Sequence, residues 1–178
     1  AERLAESSDG EGGDDGSDAR QLALRLGIRS PVTRAATGDD YHAELGKQLG
    51  DWIKPVLGRS KGIIGLTDAF SLFNRARGME LVTPRDMLRA CESWEAARMG
   101  LYLRTFESGV TVIHTREWTD ARASEQFRAA LPDFARSLSS YDAARILETT
   151  PEIALEYLRT AESAGVLCRD DGPGELRF

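Results

Sequence analysis

Two histidines, His42 and His114, and two cysteines, Cys91 and Cys168, are the residues of this 178-residue chain best suited by type to acid–base, thiol or metal chemistry. None falls in an H-x-x-x-H or C-x-x-C spacing, so the sequence encodes neither a zinc site nor a dithiol. The glycines of DGEGGDDG at 9–16 are not held between a strand and a helix as G-x-G-x-x-G, and no phosphate-loop lysine follows them, so they read as linker. With no nucleophile, base and orienting group at a usable spacing, the expectation is a non-enzymatic protein with no cofactor and no metal.

Binding chemistry is better represented. Arg75 and Arg77 form a basic pair ahead of Gly78, and guanidinium forks suit a partner's carboxylates, although cations at a helix end also complement its dipole. Asp170 and Asp171 could receive a partner's arginine or simply build a turn. Leu176 and Phe178 alternate with Glu175 and Arg177, a pattern that faces a core or lines an apolar groove.

Net charge is −6, but residues 1–18 hold seven acids and one base, which leaves 22 acids and 22 bases elsewhere. Such a balance offers no surplus of cations to displace counterions from a phosphate backbone. No apolar run is long enough to span a bilayer, and AERLAESSDG lacks the basic-then-apolar layout of a signal peptide. A soluble protein of a reducing compartment is expected, and without an initiating Met the chain reads as a fragment.

These side chains must be positioned by mostly helical elements. Residues 1–16 are poor in apolar groups and read as an acidic flexible linker, followed at 17–38 by a short helix over 18–26 and an extended lead-in. Tyr41, Leu45, Leu49, Trp52 and Val56 recur at helical spacing from Asp39 or Asp40. GIIGL at 62–66 is a short strand, and Thr67 suits the cap of a helix ending near Gly78. Thr83-Pro84-Arg85-Asp86 starts the next helix as a capping box, with Leu88, Cys91 and Trp94 on its buried face. LYLRTF and VTVIHT around Glu107-Ser108-Gly109 form a hairpin.

Helix, short strand, two helices and hairpin is the order of a winged helix, expected at 39–118. It recurs more faintly at 119–178, with a helix over 121–136 kinked by Pro132, a strand near Ser137-Leu138, a capping box at Ser139 and Asp142, a helix from Thr150-Pro151, and a final hairpin of VLCRD and ELRF. The expected fold is mainly α with small β-hairpins, as two tandem winged-helix domains. A winged-helix DNA-binding transcription factor is the alternative function. Against it, Arg85, Arg89 and Arg98 are cancelled by Asp86, Glu92 and Glu95, Arg159 is outnumbered on its helix, and both wing turns are acidic, so no nucleic acid is expected.

LGIRSPVTR (26–34), YHAELGKQL (41–49), NRARGMELVTPRDMLRAC (74–91), RTFESGVTVI (104–113) and GVLCRDD with ELRF (165–178) together resemble the C-terminal region of the vacuolar protein sorting-associated protein 36 family, a subunit family of ESCRT-II. The resemblance implies a tandem winged-helix arm of a Y-shaped heterotetramer with proteins 22 and 25, which sorts ubiquitinated membrane cargo at endosomes into multivesicular bodies and leads on to ESCRT-III. It implies a cytoplasmic protein recruited to the endosomal surface. Phosphoinositide and ubiquitin would be bound by an N-terminal GLUE domain, absent here. Carried over by motif position, Arg75, Arg77 and Glu80 would meet protein 22, and Asp170, Asp171, Leu176 and Phe178 would meet protein 25.

Overall fold

The computed structural model of the chain describes residues 30–134, 137–170 and 176–178. The linker at 1–16 and the helix expected over 18–26 lie outside the described residues. Within the lead-in, Arg34–Thr37 form a single helical turn (α1) that runs through a 3₁₀ turn at Gly38–Asp40 into the long helix α2, Tyr41–Arg59. Part of the extended lead-in is therefore helical. Tyr41, Leu45, Leu49 and Trp52 are buried as their spacing requires, and Ile53 and Leu57 complete the stripe while Val56 sits half-buried at its edge.

β1 is Ile63–Gly65, and α3 follows at once as Leu66–Arg77. Gly65, not Thr67, is the N-cap, so Thr67 lies inside the first turn, where its carbonyl accepts from the Ser71 hydroxyl at 3.0 Å. α3 stops at Gly78, whose φ of 68° is a left-handed conformation that costs glycine little. α4, Pro84–Ala96, is capped by the Thr83 hydroxyl, which accepts from the Asp86 amide at 3.2 Å. The Asp86 carboxylate takes the Thr83 hydroxyl at 2.8 Å rather than the Thr83 amide, and its other oxygen meets His42, so the capping box is formed in one direction only. The buried face of α4 is Met87, Ala90, Cys91 and Trp94; Leu88, expected there, points largely outward.

α2 and α4 lie against each other closely enough that glycine is required at the crossing. A Cβ on Gly46 would fall 2.7 Å from the Ala90 carbonyl oxygen, and the Gly46 carbonyl accepts the Trp94 indole N–H at 2.8 Å.

The hairpin forms as expected from β2, Leu101–Thr105, and β3, Thr111–Thr115, and β1 adds to its far side to give an antiparallel sheet of order β1-β3-β2. Side chains alternate across a strand, and this sheet is apolar on both faces. Ile64, Ile113, Leu101 and Leu103 join α2, α3 and α4 in one core. Ile63 and Val112, with Phe106 beyond the strand end, join a second core built by the helices that follow.

Those helices are α5, Asp120–Ala130, α6, Ser140–Leu147, and α7, Pro151–Ser163. α5 is shorter than expected, since the chain tightens into a 3₁₀ turn at Leu131–Phe134 around Pro132, which has no N–H to continue the α ladder. The Ser139–Asp142 capping box is present in both directions. The final hairpin is reduced among the described residues to a bridge between Asp170 and Arg177 and a reciprocal pair between Leu138 and Phe178 at 2.8 and 2.9 Å, so Leu138 pairs without a regular strand. The second core leans on one face of the first sheet, which supplies the apolar wall that a second full sheet would have provided.

Candidate protein-docking surfaces

The turn between α3 and α4 carries the residues singled out near the first motif. Arg77 is 6% exposed, and its donors are spent within the chain: Nε donates to the Glu80 carbonyl and Nη2 to the Val32 carbonyl, both at 2.7 Å, while Nη1 donates to Gln48 Oε1. The guanidinium also lies 5.4 Å from the Phe73 ring centroid, and burial lowers its pKa. Arg77 thus ties α2, α3, the turn and the lead-in together, and its fork is turned inward. Arg75 and Glu80 are exposed beside it. Met79 and Leu81, on either side of Glu80, are 94% and 68% exposed, an apolar display that the motif gave no means of separating from core.

Beneath this turn lies a polar cluster that spacing along the chain could not reveal. Asp86 is nearly buried and accepts from Arg34 and, at 2.9 Å, meets His42 Nε2. Burial alone would raise the Asp86 pKa, but hydrogen bonds from His42, Thr83 and Arg34 outweigh it and hold the carboxyl below its ordinary value. The residues come from α1, α2 and α4, so the cluster straps the lead-in onto the first core. His114 is similarly structural: burial lowers its pKa, and its Nδ1 lies 2.8 Å from the Thr115 carbonyl oxygen. The Cys91 thiol is pushed up to about 12 by burial, far from the range of a reactive thiolate. Among the described residues, no group of three or more His, Cys, Asp or Glu is placed to hold a metal.

At the other end, Asp170 is exposed and its amide donates to the Arg177 carbonyl at 2.8 Å; Asp171 lies outside the described residues. Phe178 is 5% exposed and fills the second core, and Leu176 is half-buried against it. Their alternation is that of core residues, which leaves Asp170 as the exposed described member of this group.

The strand ends of the wing pack onto α7. Phe106 meets Tyr157 edge-on at 5.3 Å, and the Arg104 guanidinium lies 4.4 Å from the Phe106 ring and 5.3 Å from that of Tyr157. The base of the hairpin turn is thus packed against α7, while its tip, Glu107, Ser108 and Gly109, is exposed and carries an acid rather than a base. An open cleft of about 590 Å³ between α2, α5 and α6 contains Lys54, Lys61, Trp118 and Arg122, and its cations are answered by Glu148 on Lys61 at 3.1 Å and Glu117 on Arg122 at 3.2 Å.

A helix, short strand, two helices and hairpin, with a second helical unit on the opposite face of the sheet, define a tandem winged-helix protein. A chain from a structure titled "Structure of the ESCRT-II endosomal trafficking complex" matches this fold with a TM-score of 0.56 at 17% identity, covering 79% of this chain and 90% of that one. The model of the EAP30/Vps36 family matches residues 2–171, and the chain belongs to that family. Its curated relatives include vacuolar protein-sorting-associated protein 36 of Homo sapiens, 41% identical over 163 residues, and of Danio rerio, 40% identical over 163, each match covering 89% of this chain. The protein of that name from Dictyostelium discoideum is 38% identical over 162 residues, covering 85% of the chain. The chain spans 42% of the length of the human and zebrafish proteins and 26% of the Dictyostelium one.

Proposed function

We propose that this chain is a non-catalytic subunit of an ESCRT-II assembly, acting with vacuolar protein sorting-associated proteins 22 and 25 in the endosomal sorting of ubiquitinated membrane proteins. The observation that carries the reading is the 38–41% identity to proteins named vacuolar protein-sorting-associated protein 36 over most of the chain. The fold supports it, because two cores share one sheet and the α3–α4 turn of the first presents exposed Met79, Glu80 and Leu81. On this reading residues 39–118 and 119–178 are the two winged-helix modules, 17–38 a short helix and lead-in, and 1–16 an acidic linker. Recruitment to the endosomal surface would come from the assembly, as no helix among the described residues is long and apolar enough to cross a membrane.

The exposed turn of Arg75, Met79, Glu80 and Leu81 is the proposed contact for protein 22, and Asp170 with Asp171 that for protein 25. Arg77, Leu176 and Phe178 support these surfaces from inside the fold. Light-scattering mass of the chain mixed with proteins 22 and 25 from the same source tests the assembly, a complex near one to one to two being the expected result. Leu81→Asp should remove protein 22 and Asp170→Lys should weaken protein 25, each without loss of the helical signal. A chain that stays monomeric in the mixture overturns the reading.

A further inference from the structure

The α3–α4 turn at 78–82 has almost no packing of its own, since Met79 and Leu81 stand largely in solvent. Its shape is set by polar contacts. Asn74 on α3 accepts from the Val82 amide at 2.7 Å and donates to the Val82 carbonyl at 3.1 Å. Inside that closure the Leu81 amide donates to the Met79 carbonyl at 3.1 Å, and the Glu80 carbonyl accepts from Arg77 Nε at 2.7 Å. The same guanidinium holds the lead-in: Nη2 donates to the Val32 carbonyl at 2.7 Å and Nη1 to Gln48, whose amide group clasps the Ser30 carbonyl at 2.7 Å and the Val32 amide at 3.3 Å.

The lead-in has the attachment of a segment that can open by itself. Val32 packs half-buried against the first core, and Arg34 reaches Asp86 on α4. Between these anchors and α2, α1 and the 3₁₀ turn bury none of their residues and neither has a side-chain cap. A single helical turn does not hold itself in water, so the docking of residues 30–34 rests on these few contacts and opens at a fraction of the global stability. Arg77 transmits that opening. A guanidinium is planar with donors at fixed angles, so orienting Nη1 and Nη2 also aims Nε. If the lead-in leaves, Nη2 loses its acceptor inside the fold, which costs more than a hydrogen bond lost to water. The group relieves that cost by turning toward solvent, and Nε then releases Glu80.

We propose that docking of the lead-in and order in the turn at 78–82 form one two-state equilibrium carried by the Arg77 fork. With the lead-in docked, the turn presents Met79, Glu80 and Leu81 in a fixed arrangement; with it undocked, the turn samples many. By linkage, a partner that closes on the turn tightens the lead-in by the same factor by which loss of the lead-in weakens that partner. The coupling belongs to this chain alone, whereas its use in assembly rests on the reading of this turn as the contact for protein 22.

Hydrogen exchange read by NMR on the full 178-residue chain tests both halves. The double variant Val32→Ser, Arg34→Ala loosens the lead-in without altering Arg77, Gln48 or any residue of the turn. Exchange at the Arg77 Nε–H and at the Leu81 and Val82 amides should rise about tenfold or more, the worth of one hydrogen bond to a charged group, while the Leu49 and Trp94 amides stay protected. In an Arg77→Lys background, which keeps the charge and loses the fork, the same double substitution should leave Leu81 and Val82 where Arg77→Lys alone put them. Protein 22 should bind the double variant about tenfold more weakly than the unaltered chain, and its binding should slow exchange of the Val32 amide. Turn exchange that ignores the double substitution, or a rise spread equally over α2 and α4, overturns the proposal. A turn that loosens while protein 22 binds both chains equally overturns its use in assembly, and a protein 22 that binds neither chain overturns the assembly reading instead.

Discussion

Ile63 and Ile64 are neighbours in one short strand, yet they belong to different cores, and this offers a direct test of the shared sheet. Ile63 is 2% exposed among the α5, α6 and α7 side chains, and Ile64 is 9% exposed among those of α2, α3 and α4. Replacing either with alanine removes three carbons, about 2.4 kcal/mol of transfer free energy at about 0.8 kcal/mol for each. The cavity left in a packed site brings the expected cost to about 2–5 kcal/mol. At about 2–4 °C per kcal/mol for a chain of this size, either variant should melt roughly 4–20 °C lower. The melting shift does not separate the two variants; hydrogen exchange does. Ile63→Ala should raise exchange first in α5 and α7 and leave α2 and α4 protected, whereas Ile64→Ala should do the reverse. If both substitutions loosen the same helices, or if Ile63→Ala opens α2 and α4 first, the sheet does not divide two cores and the reasoning fails.

Two further outcomes follow from close packing and from burial of a titrating group. A methyl at Gly46 would fall 2.2 Å from Ser93 Oγ and 2.7 Å from the Ala90 carbonyl oxygen; the hydroxyl can rotate away but the backbone cannot. Gly46→Ala should therefore destabilise the chain by about 1–3 kcal/mol in a urea melt, and adding Ser93→Ala should recover only part of it. His114 has a lowered pKa in the folded state because it is buried, so the unfolded chain binds its proton first as pH falls. Stability should decline as pH drops below about 6.5 and level off below the folded value, and His114→Gln should flatten that slope. An unchanged slope would place the titration elsewhere.

Much of the fold could be read before any coordinates, and the reason is local. The α2 stripe, the caps at Thr83 and Ser139, the stop at Gly78 and the β2–β3 hairpin depend on residues within a turn or two of one another, and hydrophobic period and capping chemistry report such relations faithfully. Misreadings arose where a local signal had a tertiary competitor. Thr67 has the chemistry of a cap, but β1 runs directly into α3 and gives Gly65 the position. Leu88 fits the helical period, but α2 sits over Met87 and Ala90 and leaves Leu88 facing out. The site was less legible than the fold. Arg77 and Phe178 have the residue types of contact groups, and only their surroundings show them to be interior.

By itself, the sequence determined the long helices with their caps, the β2–β3 hairpin and the family, because these rest on residue type and short-range spacing. The tertiary structure alone decided that one sheet serves two cores. It also placed Arg34, His42 and Asp86 in one cluster. These depend on residues brought together across 44 and 52 positions of chain, a separation at which no periodicity survives and only packing fixes which partners meet.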